Sequence, residues 1–211
     1  MTTMSENLAK RAVDRSANER QLEYEVEMRR IVEATYDYIE QTDNLEPSLR
    51  DILRSCGLST QGFYRFFNSK DELMLVLFDD GRRRLVDYLE QRMNKVQPPE
   101  KKVRAWIEGV LTQASSSKAA ARTRPFAIHE DRLAELFPEE QRQSVDLLIS
   151  LLVEPLQQGS RAKADAQNNA EAIYRLTFAV LRGHLIQKTK PTPKDLDHVV
   201  TFCLNGSELT T

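Results

Sequence analysis

The chain has 211 residues and a mass of 24.3 kDa, enough for one or two domains with a buried core. Its 30 basic and 32 acidic residues give a net charge of −2, so binding to nucleic acid or to an anionic membrane would have to be local. With a mean hydropathy of −0.53, the sequence has no apolar run near the roughly 20 residues that span a bilayer, and its two cysteines exclude a disulfide framework. The polar N-terminus lacks the apolar centre of a secretory signal, so we expect a cytoplasmic protein.

The first part of the chain is predicted to form an arm followed by four helices. Residues 1–20 are polar with few apolar anchors, and we expect a mobile arm there, either an inert tail or a segment that enters a minor groove. Start and stop signals then predict helices over residues 21–41, 48–55, 59–67 and 70–94. Gly57 lies in the turn between the second and third helices, where a left-handed backbone conformation is expected, and Ser59 is placed to cap the third helix.

The remaining chain is predicted to form a larger helical bundle. Apolar residues recur at helical spacing over residues 100–116, 125–136, 139–158, 165–188 and 194–204, with prolines and glycines between these segments. No alternating β-branched run with hairpin turns occurs. The sequence therefore predicts an all-α protein of nine helices.

Residues 48–67 carry the most informative pattern, two short helices joined by a turn with a central glycine. This is the arrangement of a helix-turn-helix, and the outward side chains of its second helix are of types that contact base edges or phosphates in a major groove. Between Ser48 and Lys70 there are four basic residues and one acidic residue, a local charge of +3. A helical hairpin with a solvated basic face in an all-α core is the alternative.

The stretch GLSTQGFYRFFNSKDEL, residues 57–73, resembles the helix-turn-helix signature of TetR-family transcriptional regulators. The positions that match the family pattern are Ile52, Gly57, Ser59, Tyr64, Phe67, Lys70 and Leu73. The positions that depart from it are Leu53, Cys56, Leu58 and Phe63, which are all apolar, and Phe66, where the family often has a polar phosphate contact. The resemblance implies a nine-helix TetR-like fold, with a three-helix DNA-binding domain over residues 21–70 and an effector-binding and dimerisation domain over residues 71–211.

The same resemblance implies which residues contact DNA. They are Ser48, Arg50, Thr60, Gln61, Gly62, Tyr64, Arg65 and Lys70. Ser48 would bind a phosphate at the start of its helix, and Tyr64 and Lys70 would hold further phosphates. Residues 60–62, at the start of the recognition helix, would lie closest to the base edges. The alternatives are a solvated charge for Arg65 and a half-buried core aromatic for Tyr64.

The segment from Ile173 to Ile186 is apolar almost all round, which requires burial on more than one side. Gly183 would let a second helix approach closely. Together with the amphipathic last helix, this resembles the family's dimer interface, a four-helix bundle made by the last two long helices of each subunit. A homodimer would bind a palindromic double-stranded DNA operator with greater avidity than one motif alone. A large monomeric core is the alternative.

In this family the C-terminal helices surround a ligand cavity. The side chains of this chain that fall on those helices and have suitable chemistry are Trp106, Phe126, His129, Tyr174 and Phe178. Arg122 and Arg124 precede Phe126, which suggests an anionic group on the ligand. We therefore expect a small, largely apolar effector, such as an acyl chain or its coenzyme A thioester, with plain core packing of these side chains as the alternative.

No pattern typical of catalysis or of metal binding occurs. The three histidines form no HExxH motif and have no paired cysteines at ligand spacing, so no enzyme, metal or cofactor is expected. The run Arg82–Arg84 is interpreted as a solvated face or an interdomain contact. The sequence as a whole predicts a ligand-responsive transcriptional regulator, a repressor that leaves its operator when an effector moves the fourth helix and changes the separation of the recognition helices. The alternative is an all-α scaffolding or small-molecule-binding protein without a DNA function.

Overall fold

The computed structural model describes residues 2–159 and 163–209, and for residues 2–13 and 163 it describes the backbone alone. Over this part of the chain all regular structure is helical, which confirms the all-α prediction. The nine α-helices are α1 Thr2–Thr42, α2 Leu49–Cys56, α3 Thr60–Phe63, α4 Lys70–Met93, α5 Pro99–Leu111, α6 Ser117–Leu136, α7 Pro138–Gly159, α8 Ala166–Gln187 and α9 Pro193–Gly206. Two short 3-10 turns lie at Thr112–Ala114 and Lys163–Asp165. No helix among the described residues is both long enough and apolar enough to cross a membrane.

Two helices, α1 and α6, begin at least two turns earlier than predicted, because residues that favour a helix continue beyond the apolar periodicity. Helix α1 starts at Thr2 instead of residue 21, so the segment predicted as an arm is helical. This segment contains no glycine or proline, and side chains bond along it, as Arg20 does by donating to the Ser16 hydroxyl at 3.1 Å. Helix α6 starts at Ser117 instead of residue 125, with Ser116 as its N-cap, and the predicted start Pro125 lies inside it.

The helix-turn-helix forms as the caps predict. Ser48 caps α2 in a capping box with Asp51. Gly57 then turns the chain in the left-handed region, with φ +64°, a conformation that other residues adopt only with strain. Ser59 caps α3 by accepting a hydrogen bond from the Gly62 amide at 3.0 Å. Helix α3 ends at Phe63, sooner than predicted, and residues 64–66 continue it as a turn.

The core has two parts. Helices α1 to α3 and the start of α4, called the head below, share a core that includes Ile31, Ile52 and Phe63. The remaining helices share a larger bundle core that includes Trp106 of α5. Helix α4 contributes to both, because its residues 73–78 lie in the head core and its residues 89–93 lie in the bundle core. Since α4 belongs to both cores, the division of the chain at residue 70 stays a prediction.

Helix α6 contacts both the bundle and the head. Its Phe126 stacks on Phe78 of α4 with ring centroids 4.1 Å apart, and its Leu133 is buried in the head core. Its polar side chains bind residues in and after α1, among them Arg122 to Glu40 at 2.9 Å. Movement of α6 relative to the bundle would therefore displace the head.

Candidate nucleic-acid interface and effector cavity

The recognition helix separates an apolar side from a polar side. Phe63 and Phe67 are fully enclosed in the head core. Thr60 and Gln61 are exposed, Gly62 is half-buried, and Tyr64 is 53% exposed. The exposure of Tyr64 excludes the alternative of a half-buried core aromatic. The outward face of α3 and the residue after it thus present a hydroxyl, an amide and a phenol. These groups can form hydrogen bonds with base edges and phosphates.

Cationic side chains lie beside this face. Lys70, in the first turn of α4, donates from its Nζ to the Pro47 carbonyl at 3.3 Å, which places the ammonium at the start of α2. Arg50 is exposed on the first turn of α2. Arg65 is exposed, lies over the Phe66 ring, and makes no ion pair with any described residue. Arg50, Arg65 and Lys70 therefore place three cationic side chains beside the recognition helix in a chain of net negative charge.

Ser48 is more constrained than its predicted role suggests. Its backbone amide and its hydroxyl both donate to Asp51 Oδ2, at 3.1 and 2.5 Å. These hydrogen bonds lower the pKa of Asp51 below its usual value. A phosphate at this helix start would have to replace the Asp51 carboxylate as acceptor.

Two contacts of α1 with the helix-turn-helix were not predicted. The Tyr24 ring lies against Phe66, with centroids 4.9 Å apart, which explains why an aromatic residue occupies a position that is often polar in the family. Arg30 donates to the Cys56 carbonyl at 2.7 Å and so satisfies the end of α2. Both residues lie on α1, which the apolar spacing predicts to be a helix. Their partners lie 26 and 42 positions away in the chain, so this spacing does not reveal the two contacts.

A cavity of about 400 Å³ lies between α4, α6 and α8, next to the head. Its apolar wall includes the aromatic rings of Phe126, Phe178 and Tyr88. Its charged groups are four arginines and one carboxylate, namely Arg82, Arg84, Arg122, Arg182 and Glu130. The volume lies within the range of small-molecule sites, and the lining combines apolar surface with a few polar groups, as such sites do.

Of the five predicted ligand contacts, two line this cavity. Phe126 and Phe178 do so, whereas Trp106, Tyr174 and His129 do not. Trp106 is fully buried and donates to the Leu148 carbonyl at 3.2 Å. Tyr174 stacks behind Phe178 at 4.4 Å, and burial raises its pKa.

His129 and Arg124 bind the head instead of facing the cavity. His129 Nε2 lies 2.8 Å from the Leu45 carbonyl. Arg124 donates to the Leu185 carbonyl at 3.1 Å and pairs with Asp43. Of the side chains that were expected to surround the ligand, some therefore lie in the bundle core and others reach from α6 to the loop after α1. Residues in these positions have the same helical spacing as residues that line a cavity, so the sequence does not distinguish them.

The arginine run of α4 serves several purposes. Arg83 is exposed and pairs with Asp79 one turn earlier, as a solvated residue does. Arg84 pairs with Glu33 of α1. This ion pair agrees with the second interpretation of the run, a contact between the two parts of the chain. Arg82 is buried and lines the cavity, a position that neither interpretation foresaw. Gly81 beside it was also missed, although a glycine in the middle of a long helix signals close packing.

The surface around Gly183 is open. A Cβ atom placed on Gly183 would have no neighbour within 4 Å, so no helix of the same chain approaches it among the described residues. Ile186 on α8 is 54% exposed and Phe202 on α9 is 63% exposed. The described residues contain no cluster of side chains able to hold a metal ion.

The structure is similar to several solved transcriptional regulators, while no protein-family model and no curated protein matches the sequence. The fatty acid degradation regulator FadR from Bacillus halodurans has a TM-score of 0.61 at 19% identity, over 86% of this chain and 94% of that chain. A TetR-family transcription regulator from Marinobacter aquaeolei VT8 has a TM-score of 0.59 at 16% identity, over 88% and 97%. A TetR-like transcriptional regulator from Rhodococcus sp. RHA1 has a TM-score of 0.58 at 20% identity, over 86% and 95%. The chain therefore has the fold of the TetR-family transcriptional regulators.

Proposed function

We propose that the protein is a homodimeric, ligand-responsive regulator of transcription in the cytoplasm, a repressor that a small apolar acid releases from a palindromic DNA operator. The observation that carries this proposal is the pairing of two features on α4. The polar, cationic face of the helix-turn-helix lies at its N-terminal end, and the cavity lies along its middle.

In the complex, the exposed start of α3 enters a major groove. Gln61 and Thr60 read base edges, and the half-buried Gly62 lets the backbone come close to the DNA. Tyr64, Arg65 and Lys70 hold phosphates around the groove, and Arg50 reaches a phosphate or a guanine edge. Such contacts to phosphate supply most of the affinity and make it dependent on salt.

The dimer uses the open surface of α8 and α9. Gly183 allows the α8 helices of two protomers to come close, and Ile186 and Phe202 supply apolar contact area. A dimer places two recognition helices at a fixed separation. It therefore binds two half-sites one DNA turn, about 34–36 Å, apart.

Ligand binding reaches the DNA-binding head through α4 and α6. The cavity lies beside the contact between these two helices. Helix α6 is joined to the head by Arg122, by His129 and by Arg132, which binds Asp71 at 2.8 Å. A ligand that moves α6 away from α4 changes the position of both heads. The two recognition helices then no longer match the spacing of the half-sites.

The lining favours a compact apolar acid. Four arginines against one glutamate favour a negatively charged ligand, and the rest of the wall is largely apolar. At about 30 Å³ for each water molecule, a cavity of about 400 Å³ holds roughly thirteen atoms of that size, so a free acid fits inside it, whereas a coenzyme A thioester would have to extend out of it. The similar structure of FadR, a fatty acid degradation regulator, agrees with this chemistry.

Binding to the DNA upstream of the protein's own gene tests the function. Fluorescence anisotropy should show binding that depends on sequence and weakens steeply between 50 and 200 mM salt, about a thousandfold for roughly six phosphate contacts. Medium-length fatty acids should release the DNA, and cationic compounds of the same size should not. Binding without sequence preference would favour the scaffolding or ligand-binding alternative, and release by cationic compounds alone would contradict the proposed effector.

A further inference from the structure

Arg82 is a buried cation with unused hydrogen-bond donors at the wall of the cavity. Its side chain is 5% exposed, and it lines the cavity from α4. Its Nη1 donates to Gln141 Oε1 at 2.5 Å and its Nη2 donates to Glu130 Oε1 at 3.3 Å. A guanidinium has five N–H groups, so three of them have no acceptor among the described residues. The cavity beside Arg82 is where a further acceptor for these donors can enter.

Two buried polar groups of α7, one of them on the Gln141 that binds Arg82, also lack hydrogen-bond partners among the described residues. Gln141 and Ser144 lie one turn apart on α7, and both are buried. The Gln141 Nε2 and the Ser144 Oγ have no hydrogen-bond partner among the described residues. These two groups lie behind the cavity wall and do not line it, so the donor that a ligand carboxylate can reach from the cavity is the Arg82 guanidinium.

The ion pair between Arg82 and Glu130 is unequal. Arg82 is 5% exposed, whereas the Glu130 side chain is 32% exposed and reaches Arg82 through one oxygen. Removing the only negative partner of a buried arginine is strongly unfavourable, but replacing it with another carboxylate is not. Glu130 can turn toward solvent at small cost, so it is the partner that an incoming anion displaces.

On the basis of the function proposed above, we propose that the effector is a monocarboxylate whose carboxylate replaces Glu130 on Arg82, and that this exchange is the step that releases the DNA. The anchor is Arg82, in place of Arg122 and Arg124, which are both bound to acidic residues of α1 or the loop after it. The apolar part of the ligand lies against Phe126 and Phe178.

The exchange removes a link between α4 and α6 and keeps a link between α4 and α7. Glu130 is on α6 and Gln141 is on α7, so Arg82 stays bound to α7 when Glu130 leaves. Helix α6 then loses its ion pair to α4 at the position where the ligand enters. Helix α6 also carries the contacts to α1. Loss of the ion pair between Arg82 and Glu130 therefore transmits binding of the ligand carboxylate to the head.

Calorimetry with decanoate tests the anchor without DNA. Decanoate has a volume close to that of the cavity, and decan-1-ol and decylamine have the same chain with a neutral or a positive end. The unmodified protein should bind decanoate at least tenfold more tightly than decan-1-ol, because charge-assisted hydrogen bonds are the stronger ones. Absence of decanoate binding, or equal binding of the three compounds, would overturn the proposed ligand class.

Two variants and one control locate the carboxylate. Arg82→Met should abolish the preference for decanoate over decan-1-ol. Arg182→Met changes a cavity arginine that pairs with the exposed Asp131, and it should keep that preference. Glu130→Gln keeps the shape of the side chain and removes the competing charge, so it should bind decanoate about tenfold more tightly even if Arg82→Met does not fold. Unchanged or weaker binding by Glu130→Gln would overturn the exchange.

Operator binding separates this inference from the function on which it rests. If decanoate binds through Arg82 but does not release DNA, the ligand-responsive function is wrong and the anchor is right. If decanoate releases DNA equally from the unmodified protein and from Arg82→Met, the function is right and the anchor is wrong. Because Glu130→Gln weakens the link between α4 and α6, this variant should bind the operator more weakly than the unmodified protein when no ligand is present.

Discussion

Phe63 and Tyr64 are adjacent in the chain and lie in opposite environments, one at the centre of the head core and one in solvent. This contrast follows from the position of α3, which rests on α1 and α2 through its apolar side and is otherwise uncovered. The contacts of the exposed α3 side chains show no role for them in stabilising the fold. Their substitution should therefore affect DNA binding and leave stability nearly unchanged.

At this scale, base reading and phosphate binding can be told apart. Gln61→Ala should change the preferred operator sequence, with about 1–3 kcal/mol of discrimination lost at one base pair. Lys70→Ala should weaken binding to all sequences alike and reduce the salt dependence by about one phosphate contact. Lys118→Ala removes an exposed lysine of α6 and serves as the control for net charge. Anisotropy with a set of operator variants measures all three, and an equal loss of discrimination from Gln61→Ala and Lys70→Ala would contradict these roles.

The sequence predicted which side chains the recognition helix exposes and missed most of the residues that line the cavity, for a physical reason. Caps and turns such as Ser48, Gly57 and Ser59 are local, so their consequences can be read from neighbouring residues. The position of Arg82 depends on α6 and α7, which lie 48 and 59 residues away at Glu130 and Gln141. No local pattern distinguishes its charge from that of the exposed Arg83 next to it.

Among the elements, α4 and α6 pack closely at Gly81. A Cβ atom on Gly81 of α4 would collide with the Phe126 ring and would lie 2.9 Å from the Tyr36 hydroxyl oxygen. That hydroxyl donates to the Leu77 carbonyl at 2.5 Å and so joins α1 to α4. Gly81 thus allows three helices to meet at the edge of the cavity, which is why a glycine stands inside a 24-residue helix.

We expect Gly81→Ala to destabilise the protein by about 1 kcal/mol. Overpacking costs about 1–3 kcal/mol and exceeds the roughly 1 kcal/mol that alanine gains over glycine in a helix. Gly206→Ala, at the end of α9, meets no atom within 4 Å and should be neutral or slightly stabilising. Urea unfolding monitored by circular dichroism gives both values, and an equal effect of the two changes would show that Gly81 is not packed as described.

The boundaries of the elements were predictable where stop signals are strong and unpredictable where helix propensity acts alone. Helix α4 begins at Lys70 and ends at Met93, close to prediction, because Ser69 caps it and Pro98-Pro99 follow. Helix α1 extends to Thr2 because nothing in residues 2–20 breaks a helix. The expectation of an arm there treated the lack of apolar anchors as a lack of helix, although an exposed helix needs none.

At the scale of the whole molecule, the proposed mechanism requires two copies of the chain. One helix-turn-helix makes few contacts with DNA, and its affinity rises greatly when a second copy is joined to it. The open surface at Gly183, with Ile186 and Phe202 exposed beside it, is the part of the described chain that we assign to this contact. The dimer, the operator and the effector are then parts of one mechanism, in which the separation of two heads is the quantity that the ligand changes.

Selection of binding sites from random-sequence DNA duplexes is the measurement that tests this dimeric mechanism most directly. We expect enrichment of a palindrome whose half-sites have centres about 34–36 Å apart, or about one turn of the double helix. Addition of decanoate should reduce the recovery of that palindrome. Enrichment of no sequence, or of a single half-site without a symmetric partner, would contradict the proposal of a dimeric regulator.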